Sequence, residues 1–311
     1  MLDLKRLRLL HELHRRGTVG AVAEALSYSP STVSQQLQVL QREAGTELFE
    51  PAGRNLRLTD AALVLVAHAE ELLAAVERAE GDLEAAAAGA VAGVVRVGSF
   101  QTASLHLLLP AMTALENDHP GVEIRLVEFE TAPALEALRS HQLDLVLADE
   151  WTGAPRPRLP GLDRDDLFDE HVRVAVRRDH PVAAEAAIRL EDLADAHWAA
   201  GDPGGGMAEL VRQVCNGHGG FEPRIRHHTN ELGMLLALVE HGQAVTLLPE
   251  IALVDAPAGV VARPIAGLAL GRTVFTAART GADRRPALAA VREALRAAAA
   301  IRPGLPSSPG A

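Results

Sequence analysis

Leu4, Leu7, Leu10 and Leu13 recur at helical spacing along the first residues, and Gly17 stands where that helix ends. Thr18 caps a second, short helix in "TVGAVAEALS", whose apolar face holds Val22, Ala25 and Leu26. After the turn "SYS" comes "SPSTVSQQLQVLQREAG", residues 29–45. Ser29 suits an N-cap, and Pro30 suits the first helical position, where its missing N–H costs nothing. Val33, Leu37 and Leu40 follow at i, i+4 and i+7 as a buried stripe. At about 100° per residue, Ser31, Ser34, Gln35, Gln38 and Arg42 gather on the opposite side. Two short helices, a tight turn and a third helix with a polar outer face form a helix-turn-helix pattern. The turn residues "PAGRN" between "ELF" and "LRLT" predict a β-hairpin wing with Arg54 at its tip and Arg57 nearby. From Asp60 to about residue 88 an Ala-, Leu- and Glu-rich run predicts one long helix. Its Leu63, Val66, Leu73, Val76 and Leu83 form a seam suited to dimerisation.

Beyond residue 92 the period changes. "VVRVGSF", "VEIRLVEF" and "LDLVLAD" read as strands, separated by helices over about 104–118 and 133–140; this βαβαβ order predicts a parallel sheet. A second such unit runs through "HVRVAVRR", "IRLEDLADA", "HWAAG", "PRIRHHT", "ELGMLLALVEHG" and "AVTLLP", with one more helix after "PGGG". The strand "GRTVFTAAR" and the helix "RPALAAVREALRAAAAI" close the chain, and residues 303–311 read as a disordered tail.

Charge changes the picture only when it is divided. The formal net charge of −11 argues against a nucleic-acid partner, but residues 1–60 carry eight Lys/Arg against seven Asp/Glu, a net +1, which leaves −12 for the rest. A near-neutral head with clustered Arg on an acidic body is compatible with a small DNA reader on a soluble carrier. A solvated helix face is usually built from Lys and Glu. Short hydroxyls, amides and one Arg instead donate and accept at base edges and phosphates. The lone Cys215 excludes an intrachain disulfide and a cysteine-based zinc framework. No apolar run reaches 18 residues and no secretory signal opens the chain, so the protein reads as cytoplasmic, without a membrane span.

"AVAEALSYSPSTVSQQLQVLQREAGTELFE" and "LRLTDAA" together make the head resemble the LysR-type transcriptional regulators from Leu4 to about residue 90. The body motifs "GVEIRL", "LDLVLAD" and "VEHGQAVTLLP" resemble that family's effector domain. The resemblance implies a winged helix-turn-helix over 1–60, a linker and dimerisation helix over 61–90, and over 91–302 an α/β effector domain of two lobes with the periplasmic-binding-protein fold. It places lobe I at about 93–165 and 269–302 and lobe II at about 166–268. It also implies DNA contacts from Thr18, Ser29, Pro30, Ser31, Thr32, Ser34, Gln35, Gln38, Arg42 and Arg54, and homodimers that commonly associate as tetramers. Three departures stand out. Gln35 occupies a position where the family often has Arg, Pro51 replaces an Arg in "LFEP", and Ala62 replaces a Gly.

Candidate chemistry narrows to a ligand cleft. "GDPGGGMAEL" lacks the Lys-Ser/Thr of a P-loop and the spacing of a dinucleotide fingerprint, so a loop bordering the cleft is the better reading. His227 and His228 are adjacent on a strand and face opposite sides; His11 and His14 share a helical face with no further ligand. Ser99 and Ser104 sit in no nucleophile elbow. No metal, cofactor or catalysis is therefore expected. In two-lobed α/β bodies, ligands bind beyond the carboxyl ends of strands. That rule selects Ser99, Phe100, Gln101 and Thr102, then Thr131, then Glu150 and Trp151, then Thr229 and Asn230, with Asp202 across the cleft. Thr131 and Thr229 also suit plain helix capping. Glu130, Glu150, Asp202 and Glu231 make the mouth acidic, which favours an effector with an amine or hydroxyls over a simple dianion. Two readings result. The first is a sequence-specific DNA-binding transcription regulator whose partners are double-stranded DNA and a small-molecule effector. The second is a small-molecule-binding protein or enzyme whose head serves only assembly.

Overall fold

The computed structural model describes residues 1–52, 55–87, 89–152, 158–254 and 256–301. Arg54 and the tail 303–311 lie outside them.

The helices of the head form where the chain both caps them and gives them an apolar face. In the head, α1 (Leu4–Arg16), α2 (Val19–Ala25) and α3 (Pro30–Ala44) each begin on a side chain that accepts a backbone N–H: Asp3, Thr18 and Ser29. Gly17 and Gly45 end α1 and α3 at φ 76° and 67°, a conformation that a Cβ disfavours. The inward stripes of the three helices close one core with Leu48, Ala62 and Val66. Strands β1 (Phe49–Ala52) and β2 (Asn55–Leu58) pair antiparallel as the wing. The wing hangs on Gln41, whose side-chain oxygen accepts the N–H of Leu48 and Phe49 at 3.0 and 3.2 Å.

The long helix α4 (Asp60–Ala87) corrects part of the expected seam. Val66 is buried in the head core, and Leu73 packs over the junction with the body. Of the expected seam, Leu63 and Leu83 remain exposed, the latter 70%, and Val64 and Leu72 join them. Val64, Leu72 and Leu83 share an arc of about 100° on the helix surface, so the free stripe is rotated from the one the sequence suggested.

The body begins with β3 (Ala92–Ser99) and α5 (Gln101–Ala103), which runs through a π turn (Ser104–Leu108) into α6 (Leu109–Asp118). Then follow β4 (Gly121–Glu128), α7 (Thr131–Arg139) and β5 (Leu145–Trp151), with β3 parallel to both β4 and β5. Strand β6 (Leu162–Arg177) is twice the length expected. Later come β7 (His197–Ala200), α8 (Gly206–Val214), β8 (Arg224–His228), α9 (Leu232–Glu240), β9 (Thr246–Pro249), β10 (Val260–Arg263), β11 (Gly271–Arg279) and α10 (Pro286–Ala300). The first half of β6 pairs with β11, and its second half pairs with β9 and β10. One strand thereby carries the chain from one lobe into the other. Each lobe has its own apolar core, one around Val95, Leu107 and Leu147, the other around Trp198, Val211 and Leu247.

Where α4 crosses the body, ion pairs replace apolar packing. Arg279 donates to Glu77 at 2.6 Å and to the carbonyls of Leu138 and Leu143 at 3.0 and 2.7 Å. Burial opposes ionisation of Asp144, but hydrogen bonds from Arg96 and the charges of Arg96 and Arg285 outweigh it and bring its pKa to about 2. Burial, with Arg279, Arg8 and Arg96 nearby, pushes His141 down to about 3. Both groups make the fold acid-sensitive, in two windows. Below pH 6.5 the unfolded chain protonates His141 while the folded chain does not, so stability falls towards pH 3. The Asp144 contribution is present above pH 3.8 and is lost as pH drops towards 2. The melting temperature is expected to fall between about pH 7 and 5, with His141→Asn flattening that slope. Asn suits the left-handed backbone there, φ 61°.

Candidate functional site

The polar side of α3 stands free. Ser29, Pro30, Ser31, Gln35, Gln38 and Arg42 are exposed, and Thr32 and Ser34 are half-buried beside them. The opposite stripe, Val33, Leu37 and Leu40, is at most 1% exposed. Ser29 accepts the N–H of Thr32 at 3.1 Å, and its hydroxyl also meets those of Ser31 and Thr32 at 2.8 Å. The three hydroxyls thus form a fixed crown on the helix N-terminus, where backbone N–H groups and the helix dipole favour phosphate. Thr18 caps α2 in the same manner, accepting the N–H of Ala21 at 3.2 Å. Tyr28, 50% exposed beside Ser29, extends this surface and was not selected from the sequence. Arg57 is taken by Glu50 across the wing.

The second site is a cleft of about 410 Å³ between the lobes, within the range of small-ligand sites. Among its lining residues are Phe100, Gln101, Thr102, Thr131, Trp151, Thr229 and Asn230, all anticipated from strand ends. Three other anticipated residues are placed elsewhere. Ser99 is fully buried and bonds the carbonyl of Phe100 at 3.2 Å. Glu150 pairs with Arg164, because β5 continues to Trp151 and alternation turns Glu150 to the face opposite Asp149 and Trp151. Asp202 stays outside the lining, tied to Asn230, which donates to its carboxylate at 2.9 Å and accepts its N–H at 3.0 Å.

Several polar groups in the cleft are already engaged. Thr131 donates to Asp149 at 2.6 Å and accepts the Asp149 N–H at 3.1 Å, so it positions a carboxylate. Glu231 caps α9 by accepting from Gly233 and Met234. Gln101 spans the lobes: its oxygen accepts the N–H of Leu232 at 2.5 Å, and its amide donates to Glu231 at 3.3 Å.

The floor holds what sequence reading missed. Arg272, 5% exposed, donates to Glu170 at 2.7 Å, to Asp149 at 3.2 Å and to the Thr102 hydroxyl at 3.0 Å. Its guanidinium also stacks 4.9 Å from the centroid of Phe100 and 5.3 Å from that of Trp151. Glu170 faces Arg272 in register across β6 and β11, and its other oxygen accepts the N–H of Ile251 at 2.7 Å. The one signal in the sequence was an Arg on a strand face otherwise uncharged, followed at alternate positions by Val274, Thr276 and Ala278. Glu130, Asp149 and Glu209 line the cleft against the single lining cation Arg272, so it carries an acidic excess among the described residues. Among those residues no group of three metal-binding side chains forms, and no helix is long and apolar enough to cross a membrane.

Comparisons with known proteins identify the two domains that carry these surfaces. Residues 4–63 match the bacterial regulatory helix-turn-helix protein model of the lysR family, and residues 88–300 match the LysR substrate binding domain. The transcriptional dual regulator GltC of Bacillus subtilis is 28% identical over 275 residues, covering 88% of this chain and 89% of that one. A probable hydrogen peroxide-inducible genes activator of Mycobacterium avium is 29% identical, covering 79% and 78%. Among solved structures, a full-length cysteine variant of OxyR from Pseudomonas aeruginosa superposes with a TM-score of 0.59 at 26% identity, covering 95% and 98%. The chain belongs to the LysR family of bacterial transcription regulators. It is a DNA-binding regulator with an effector-binding domain and not an enzyme, which sets aside the reading of the head as a mere assembly device.

Proposed function

We propose that Ser31, Ser34, Gln35 and Gln38 of α3 read base edges in the major groove, while Ser29, Thr32, Arg42 and Thr18 hold phosphates. Pro30 fixes the start of the helix. The observation that carries this reading is the exposed row of short hydroxyls and amides over a fully buried apolar stripe. Base contacts give specificity and phosphate contacts do not. Gln35→Ala is therefore expected to weaken operator binding by about 1–3 kcal/mol while sparing random duplex. Equal losses on both, measured by competition titration, would move base reading to another element.

The cleft between the lobes is the proposed effector site, with Thr102 and Thr229 contacting the ligand from opposite lobes. The acidic excess and the aromatic walls suit a small molecule with an amine or hydroxyls on an apolar frame. Thr102→Val and Thr229→Val keep volume but remove one hydrogen-bonding partner, an expected cost of about 1–3 kcal/mol in effector affinity. Each variant should still footprint its operator and no longer change that footprint when the effector is added. Responses like wild type in both, with loss of response from changes outside the cleft, would place the effector elsewhere.

A peroxide-sensing thiol is not part of this proposal. Cys215 is the chain's single cysteine, and burial pushes its thiol up to about 12, the opposite of a reactive thiolate. The protein is proposed to work in the cytoplasm, where its DNA lies, and to pair through the exposed stripe of α4.

A further inference from the structure

We propose that α7 is a strut that couples the effector cleft to the DNA-binding head. The inference rests on the cleft being the effector site. Nine residues long, α7 spans about 13 Å. Its first residue, Thr131, is anchored on the cleft floor through Asp149, which Arg272 links in turn to Thr102. Any ligand that moves Thr102, Arg272 or Asp149 moves the start of α7. Ala134, Leu135, Ala137 and Leu138 bury the helix side against β5 and β11, so it shifts as one rigid piece rather than bending.

The far end of α7 is held by the head. Arg15 and Arg16 of α1 both reach Glu136, and Arg8 donates to the carbonyl of Ser140 at 2.6 Å. One turn on, Gln142 donates to the carbonyl of Ala25, the last residue of α2, at 3.3 Å. Cations at a helix C-terminus are favourable, so Arg8 also meets the negative end of the α7 dipole. This docking leaves the reading face of α3 free; it sets where that face points.

The contact is built to be reversible. Glu136 is 44% exposed, and ion pairs at such exposure are weak. Arg15 and Arg16 keep a second partner, the buried Glu12 of their own helix at 2.9 and 2.6 Å, when the head leaves. The Nε of Arg8, together with the Nε and Nη1 of Arg15, is buried without an acceptor among the described residues, which offsets part of what docking gains. Docked and released heads therefore lie close in free energy. A small differential at the cleft then shifts the population between them.

Hydrogen exchange on the full-length protein, without DNA or effector, tests the coupling separately from either binding assignment. Glu136→Lys repels Arg15 and Arg16 and should speed exchange in the last turn of α1 by about five-fold. Thr131→Val acts from the cleft end, and it should speed exchange in the same turn of α1 although it touches nothing there. Thr131→Ser restores the hydroxyl and should restore protection. The protected amides of β3 and β5 report that each variant is folded. If Thr131→Val loosens only residues near 131 and 149 while α1 keeps wild-type exchange, α7 transmits nothing and the proposal is overturned. Unchanged α1 exchange in Glu136→Lys would overturn it as well, because the head would not be held there. If both variants loosen α1 but operator recognition maps away from α3, the strut stands and the DNA-reading assignment fails.

Discussion

Arg272→Met is expected to lower the free energy of unfolding by about 3–5 kcal/mol, the cost of leaving buried charge without its partner. The Arg272 side chain, 4% exposed, lies between Asp149 and Glu170, whose own side chain has no exposure. Met replaces most of the volume, so the loss is electrostatic more than steric. Two carboxylates that flanked the guanidinium would then lose it, beneath a cleft that already carries an acidic excess. The pairing gives this prediction an internal control. Replacing Glu170 by Gln in the same chain removes one of the orphaned charges and should recover part of the loss, so the two changes will not add. Chemical denaturation of the four chains in the cycle measures this. Additive effects, or a loss below about 1 kcal/mol for Arg272→Met, would mean that water compensates the carboxylates and that the floor is not the closed triad described above.

Leu72→Asp should convert the oligomer to a monomer at micromolar concentration. Leu72 is 44% exposed in the single chain and lies with Val64 and Leu83 on the stripe of α4 that neither head nor body covers. Pairing two such helices would bury a carboxylate at each Asp against apolar partners, at several kcal/mol per group. At about 1.4 kcal/mol for each tenfold change in dissociation constant, that raises the constant by three orders of magnitude or more. Analytical ultracentrifugation distinguishes the outcomes. Leu73→Asp is the informative contrast, because Leu73 faces the head–body junction and its replacement should disturb that junction before it disturbs the oligomer. A variant Leu72→Asp that remains dimeric would place the interface on another face.

Much of the head was legible because local signals agree there: three capping side chains, two glycines with positive φ, and stripes with one period all specify the same three helices. Strand ends were legible in the body for the same reason, and the rule of binding beyond them found seven residues that the fold brings to the cleft. What escaped was long-range. Asp149, Glu170 and Arg272 come from three strands, and no local pattern marks them as partners. The first half of β6, "LDRDDLFDE", carries too many acids to read as a strand; in the fold, Arg296 and Thr280 take up Asp165 and Asp163. Ending β5 two residues early hid the alternation that separates Trp151 from Glu150.

The central claim is that α3 reads a sequence for which the chain is paired on the DNA. Hydroxyl-radical footprinting of the full-length protein on the DNA flanking its gene, with excess random duplex present, tests this most directly. Two protected half-sites are expected on one face of the duplex, separated by about one helical turn or a multiple of it, and Ser34→Ala should erase both together. Protection without a preferred sequence, or a footprint that Ser34→Ala and Gln35→Ala leave intact, would contradict it.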